Sequence, residues 1–205
     1  MFRIAHFLLL ATCIAVFACG GVTTDGDGGQ EVRFLSMGTA PPGGAFFVVG
    51  GAMARVFNEN TSDFSMTAEA TSGSQENIRR LTSGELDFAL SNSAITYFAV
   101  RGTEGWDKAY PMRAVMTLAP NVAMFVAAAD SAVESIPDLA GSRVSVGPAG
   151  AGFEYFIRPL LAAHGVTYDD FSPINATQAG AVDLLTDGSV VAAFLGGAVP
   201  TASIT

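Results

Sequence analysis

From Val32 onward the apolar positions of the chain follow two rhythms. Short apolar runs bounded by Gly, Pro, Ser or Asn read as strands, and stretches with apolar residues three and four apart read as helices. Val32 to Met37 is the first strand, and Phe46, Val49, Met53 and Phe57 mark one face of the helix after it. Phe64, Met66, Ala68 and Ala70 alternate as a second strand. Ser74 stands as N-cap of a short helix, Gln75 to Thr82, that Gly84 ends. Leu86 to Leu90 reads as a buried strand, and Ser91-Asn92-Ser93 opens a helix with Ile95, Phe98 and Ala99 inward. A loop holding Trp106 follows, then strands Arg113 to Leu118 and Val122 to Ala128 around a Pro120-Asn121 turn, where the chain crosses between lobes. Beyond it Ser135 caps a short helix to Leu139, and Arg143 to Gly147 is a strand. Phe153, Phe156, Ile157, Leu160 and Leu161 form a helix face closed by Gly165. Tyr168 to Ile174 holds a short strand, Thr177 caps a helix to Leu185, and Val190 to Leu195 is a last buried strand.

The two halves of this pattern resemble each other. Arg33-Phe34-Leu35-Ser36-Met37-Gly38 with its glycine turn and aromatic helix parallels Arg143-Val144-Ser145-Val146-Gly147 with its own. Arg80 to Leu90 parallels Leu184 to Phe194 in the same order. A repeat this long predicts two similar α/β lobes, 32–121 and 122–205, rather than a solenoid. Ligands of open parallel sheets sit beyond the carboxyl ends of the strands, so the lobes would face each other across a cleft. The turn Gly38 to Phe47 places the amides of Gly43, Gly44 and Ala45 at a helix N-terminus, where free N–H groups and the helix dipole favour an anion.

The chain has 205 residues, 50% of them hydrophobic, enough for one good core or two modest ones. Its formal net charge of -9 and the lack of a basic run exclude nucleic acid as a partner, while local amides can still hold a small anion. Residues 1–19 read as a lipoprotein-type signal: Arg3 and His6 flank an apolar stretch too short to span a bilayer, ending Val16-Phe17-Ala18-Cys19. Lipidation of Cys19 would tie the protein to the membrane, and plain secretion is the other reading. Residues 20–31, rich in Gly, Thr and Asp, form a flexible tether. With Cys13 inside the signal, the mature domain has no cysteine pair.

No acid–base pair, zinc motif, nucleophile elbow or P-loop is present, and His164 sits near a helix C-terminus where it suits the dipole. The expectation is therefore a binding protein, not an enzyme, with no cofactor and no metal. Small hydroxyl and amide groups gather after the strands, on the side of the glycine turns: Thr39, Ser72, Ser74, Asn77, Ser91, Asn92, Ser93, Asn175, Thr177 and Gln178. Many of these also suit caps and turns.

Four blocks in order are similar to the TAXI family, the TRAP-associated extracytoplasmic immunogenic solute receptors: Gly38-Thr39 to Arg55, Ala70-Thr71-Ser72-Gly73-Ser74-Gln75-Glu76-Asn77-Ile78, Ser83 to Leu90, and Leu139 to Gly147. The resemblance implies a two-lobed α/β fold, the type II-like periplasmic-binding-protein fold, in a chain truncated at its C-terminus. It implies a periplasmic receptor that hands a small carboxylate, glutamate- or 2-oxoglutarate-like, to a TRAP membrane permease. The residues it places in the cleft are Gly38, Thr39, Gly44, Ala45, Phe46, Ser72, Ser74, Asn77, Ser91, Asn92, Ser93, Gly147, Gly150, Ala151 and Gly152. Departures at Phe46, Phe47, Asn92, Ala151, Phe153 and Val199 make the pocket more apolar than is usual for the family. The alternative is an ABC-type binding protein for a sulfonate or thiamine-precursor-like ligand on the same lobes; an enzyme on a related fold would need a paired acid and base.

Overall fold

The computed structural model describes residues 31–197, and from Val32 the chain forms one compact unit. The signal, Cys19, nearly all of the tether and Val199 lie outside the described residues.

The first sheet has three parallel strands, β1 (Arg33–Gly38), β2 (Phe64–Glu69) and β3 (Phe88–Ala89), in the order β2-β1-β3. Helix α1 (Ala45–Asn60) joins β1 to β2, and α2 (Ser74–Ser83) joins β2 to β3. Leu35, Met37 and Met66 point to one face and pack with Ala54, Met53 and Phe57 of α1. The buried residues of α1 include Gly50 and Ala54, whereas Val49 is outside. The reason is close approach: a Cβ on Gly50 would run into the Thr39 side chain, so the helix meets the sheet along its small residues. Helix α3 (Ser93–Arg101) follows β3, with Ile95 and Ala99 fully buried.

Of the two strands expected around Pro120, only β4 (Val122–Ala127) forms. Residues 111–121 carry no regular structure, and Val115 and Met116 are exposed, because that stretch finds no strand partner among the described residues. The second sheet has the order β4-β7-β5-β6, with β5 (Arg143–Ser145), β6 (Ser172–Ile174) and β7 (Ala192–Gly197) mutually parallel and β4 antiparallel to β7. Between them run α4 (Glu154–Ala163) and α5 (Gln178–Thr186). Leu160, expected inward, is on the outer side of α4, while Ile157 and Leu161 are fully buried with Val144 and Phe194. The order β2-β1-β3 is thus repeated as β6-β5-β7, with a helix after each strand but the last.

Candidate functional site

A narrow cleft, partly open to solvent, lies between residues of the two sheets' carboxyl-end turns. The first glycine turn supplies Pro41, Gly44, Ala45 and Phe46; the second supplies Pro148 and Ala151. The turns approach closely at its edge. A Cβ on Gly73 would stand 3.4 Å from Ala151 Cα, one on Gly150 would stand 3.5 Å from Ser72 Cβ, and one on Gly43 would stand 3.4 Å from Ala179 Cβ. The Glu76 amide donates to the Gly150 carbonyl at 3.2 Å, and Gln75 Nε2 donates to the Tyr155 hydroxyl at 3.2 Å. The Tyr155 ring stacks on Trp106 at 5.9 Å, so the far side of this contact is apolar. Burial pushes the Tyr155 phenol above its usual value, which keeps it a neutral hydrogen-bond partner.

All five α-helices described contribute their opening residues to the wall of this cleft: Gly44, Ala45 and Phe46 for α1, Gly73 and Ser74 for α2, Asn92 and Ile95 for α3, Phe153 for α4 and Gln178 for α5. An α-helix leaves its first amides without intrahelical acceptors and carries about half a positive charge there. The amides of Ala45, Phe46, Ser74, Gln75, Gln178 and Ala179 have no acceptor among the described residues. The nearby side chains add donors. Ser74 Oγ accepts from the Asn92 amide at 3.0 Å, which leaves its proton to give, and Asn92 Oδ1 accepts from the Ala94 amide at 2.9 Å, which leaves its NH₂.

Among the described residues, none that lines the cleft carries a charge. The nearby ionic groups are engaged elsewhere: Arg80 binds Glu69 at 2.6 Å and Glu85 at 3.4 Å, and Glu76 accepts from the Ser72 amide at 2.8 Å. The pairing with Glu69 raises the Arg80 pKa, and Arg80 does not line the cleft. The remaining wall is apolar, with Phe46, Ile95, Phe153 and Phe156 facing the space. The arrangement suits an anionic head among amides and hydroxyls and an apolar body beside the rings. Among the described residues no cluster of His, Cys, Asp or Glu is placed to hold a metal ion.

The expected site residues divide. Gly44, Ala45, Phe46, Ser72, Ser74, Asn92 and Ala151 line the cleft. Gly38, Thr39, Asn77, Ser91, Ser93, Gly147, Gly150 and Gly152 do not. Thr39 is buried and donates to the Glu69 carbonyl at 2.7 Å, and Ser91 Oγ meets Thr96 Oγ1 at 2.9 Å. Asn77 is fully buried and donates to the carbonyls of Thr39 and Leu90, each at 2.8 Å, tying the ends of β1 and β3 together. Gly38 gives it room: a Cβ there would stand 2.5 Å from Asn77 Oδ1. Ser74 is not a cap. It is the first residue of α2, after Gly73 at φ 124, and its hydroxyl reaches Asn92 instead. Gly150 sits at the edge contact and Gly152 behind the wall against Ile95.

Phe153, expected among the residues that make the pocket apolar, does line the cleft; sequence reasoning missed Phe156, read only as part of a helix face, and Gly196 and Gly197 at the end of β7. The signal for the glycines was their place at a strand's carboxyl end. Gln178 Nε2 fixes this end by donating to the Gly196 carbonyl at 2.8 Å.

A family model, the NMT1-like family, matches residues 37–205. The chain belongs to the NMT1-like family. Among solved structures it is similar to the alkanesulfonate-binding protein SsuA from Xanthomonas axonopodis pv. citri bound to MOPS, at 17% identity and a TM-score of 0.55 over 80% of this chain and 54% of that one. It is also similar to a binding protein component of an ABC phosphonate transporter from Pseudomonas aeruginosa, at 13% identity and a TM-score of 0.59 over 80% of this chain and 57% of that one. The fold is therefore the periplasmic-binding-protein fold expected, and the chain spans about half the length of these structures.

The family assignment corrects the resemblance to the TAXI receptors. With it go the TRAP-type function, the TRAP permease as partner and the glutamate-like carboxylate as ligand. The physical reason lies in the motifs that carried the resemblance. Asn77 and Gly38 serve to join strands, and Gly73 serves a helix start, so they report the fold and not the transporter class.

Proposed function

We propose that this NMT1-like chain is the substrate-binding component of an ABC-type importer and captures a small organic oxyanion of the sulfonate or phosphonate class. The observation that carries the reading is the convergence of five α-helix starts, three of them (α1, α2 and α5) with unpaired amides, on a cleft that has no charged residue among the described residues lining it. Such amides stabilise an oxyanion against the unfavourable field of a chain with net charge -9. The similarity to alkanesulfonate- and phosphonate-transporter binding proteins supports the same ligand class. The lobes hold the ligand without chemistry: the polar side chains of the wall are Ser72, Ser74, Asn92, Asn121 and Gln178, which offer hydrogen bonds and no acid–base pair.

Calorimetric titration of the full-length chain with short alkanesulfonates and alkylphosphonates tests this reading. Saturable binding of at least one of them, weakened about tenfold by Ser74→Ala through loss of a charge-assisted hydrogen bond, is the expected result. No heat and no thermal stabilisation from either class would refute it. The receptor acts in the periplasm, and Cys19 carries its lipid anchor. Replacing Cys19 with Ala moves the protein from the membrane fraction to the soluble periplasmic fraction; unchanged fractionation overturns the anchor.

A further inference from the structure

Sulfonates and phosphonates occur with and without an amino group, and the cleft distinguishes the two. Resting on the receptor reading above, we infer that the site selects ligands whose body carries no cationic group and rejects their aminoalkyl counterparts. A buried ammonium group is held best by a carboxylate, because an unpaired buried charge is strongly unfavourable and ring faces repay only part of that cost. Among the described residues that form this wall there is no carboxylate.

The acidic groups nearest the cleft are turned to other tasks. Glu76 is held by the Ser72 amide and by Arg80 at 3.7 Å. Glu69 is bound to the same guanidinium. Glu154 follows the lining residue Phe153 in the chain but does not itself line the cleft. The field inside the cleft is also of the wrong sign for a cation, since each of the five α-helices described presents its positive end there. The space left for the ligand body is bounded by Phe46, Ile95, Phe153 and Phe156, which desolvate whatever they cover. A methyl group gains there where an ammonium group of the same size loses.

The test uses matched pairs of nearly equal shape: 1-propanesulfonate against 2-aminoethanesulfonate, and propylphosphonate against 2-aminoethylphosphonate, each titrated into the full-length chain. The unaminated member of a pair is expected to bind about a hundredfold or more tightly than the aminated one. Asn92→Asp places a carboxylate in the wall and keeps the cap of α3, since Asp and Asn cap equally well. It is expected to narrow or reverse the preference. Equal or tighter binding of the amino compounds by the unaltered chain overturns the inference and leaves the receptor reading intact. Failure of all four compounds to bind removes both. A preference that Asn92→Asp leaves unchanged, in a variant that melts like the parent, overturns the electrostatic cause.

Discussion

The two halves of the molecule share a layout and differ in finish. Each has a central strand flanked by two parallel neighbours, β2-β1-β3 and β6-β5-β7, and each ends its central strand in a glycine turn beside the cleft. Away from the cleft they part. In the second half β7 is buried from Ala192 to Leu195, and Phe194 packs edge-on against Phe125 at 5.1 Å and Phe153 at 5.4 Å. In the first half one face of the central strand is covered along its length, whereas the other is covered only toward its carboxyl end, at Gly38, and Phe34 stands 79% exposed on it. Both halves present amides to the cleft, but the second supplies the better packed support.

Two truncations put this contrast to the strongest test. Phe194→Ala removes a ring that is 1% exposed and supports the cleft wall through Phe153. It is expected to cost about 3–5 kcal/mol in denaturant unfolding. Phe34→Ala is expected to change stability by less than about 0.5 kcal/mol. Equal losses at the two positions would erase the difference between the halves. Next in size is Asn77→Ala, which withdraws two buried hydrogen bonds at the carboxyl ends of β1 and β3 and is expected to cost about 2–3 kcal/mol. Amide exchange in that variant should quicken around β1 and β3 and stay slow in β7.

The repeat, both glycine turns and the caps Asn92 and Thr177 were legible in the sequence because each is fixed by local chemistry: short apolar runs, glycine, and side chains that accept from the next amides. Val49 was misread because the inward face of α1 is set by the small residues Gly50 and Ala54, and apolar periodicity favours large ones. Arg113 to Leu118 reads as a strand by composition, but pairing needs a partner that propensity cannot supply. The candidate site was half legible. Its backbone amides follow from the turns, whereas the separation of Asn77 and Thr39, buried as struts, from Ser72 and Asn92, facing the space, depends on where α2 packs. The family resemblance failed for the same reason, since fold-forming residues outnumber ligand-facing ones in the matching blocks.

The glycines that end the two central strands sharpen the comparison at smaller cost. Gly38 is required by a neighbour, Asn77, whereas Gly147 is required by both its own backbone, at φ 86, and the Phe153 ring against it. Gly147→Ala is expected to cost about 1–3 kcal/mol and to displace Phe153, weakening ligand binding about tenfold or more. Gly38→Ala disturbs the strand-end bonds of Asn77 instead, so its loss should appear in stability with affinity changed less. The opposite split between affinity and stability would reverse the assignment of Phe153 to the wall and Asn77 to the frame.

The smallest expected effect is a difference in acid response. The second half closes its turns with aspartates: Asp138 accepts from the Ser135 hydroxyl and amide, Asp170 from the amide and hydroxyl of Thr167, and Asp187 from the Ser189 amide. These bonds hold all three carboxyls below their usual value, as the Tyr110 hydroxyl does for Asp107 in the first half. A carboxyl whose pKa is lowered by folding stabilises the fold above its unfolded value, near 4, and that contribution disappears as pH falls through the folded value. The turns of the second half should therefore loosen first below about pH 4. Asp138→Asn with Asp170→Asn should lower the thermal midpoint at pH 7 and leave it nearly unchanged at pH 3. An equal loss at both pH values would mean that the side chains act by shape alone and that charge contributes nothing to the finish of the second half.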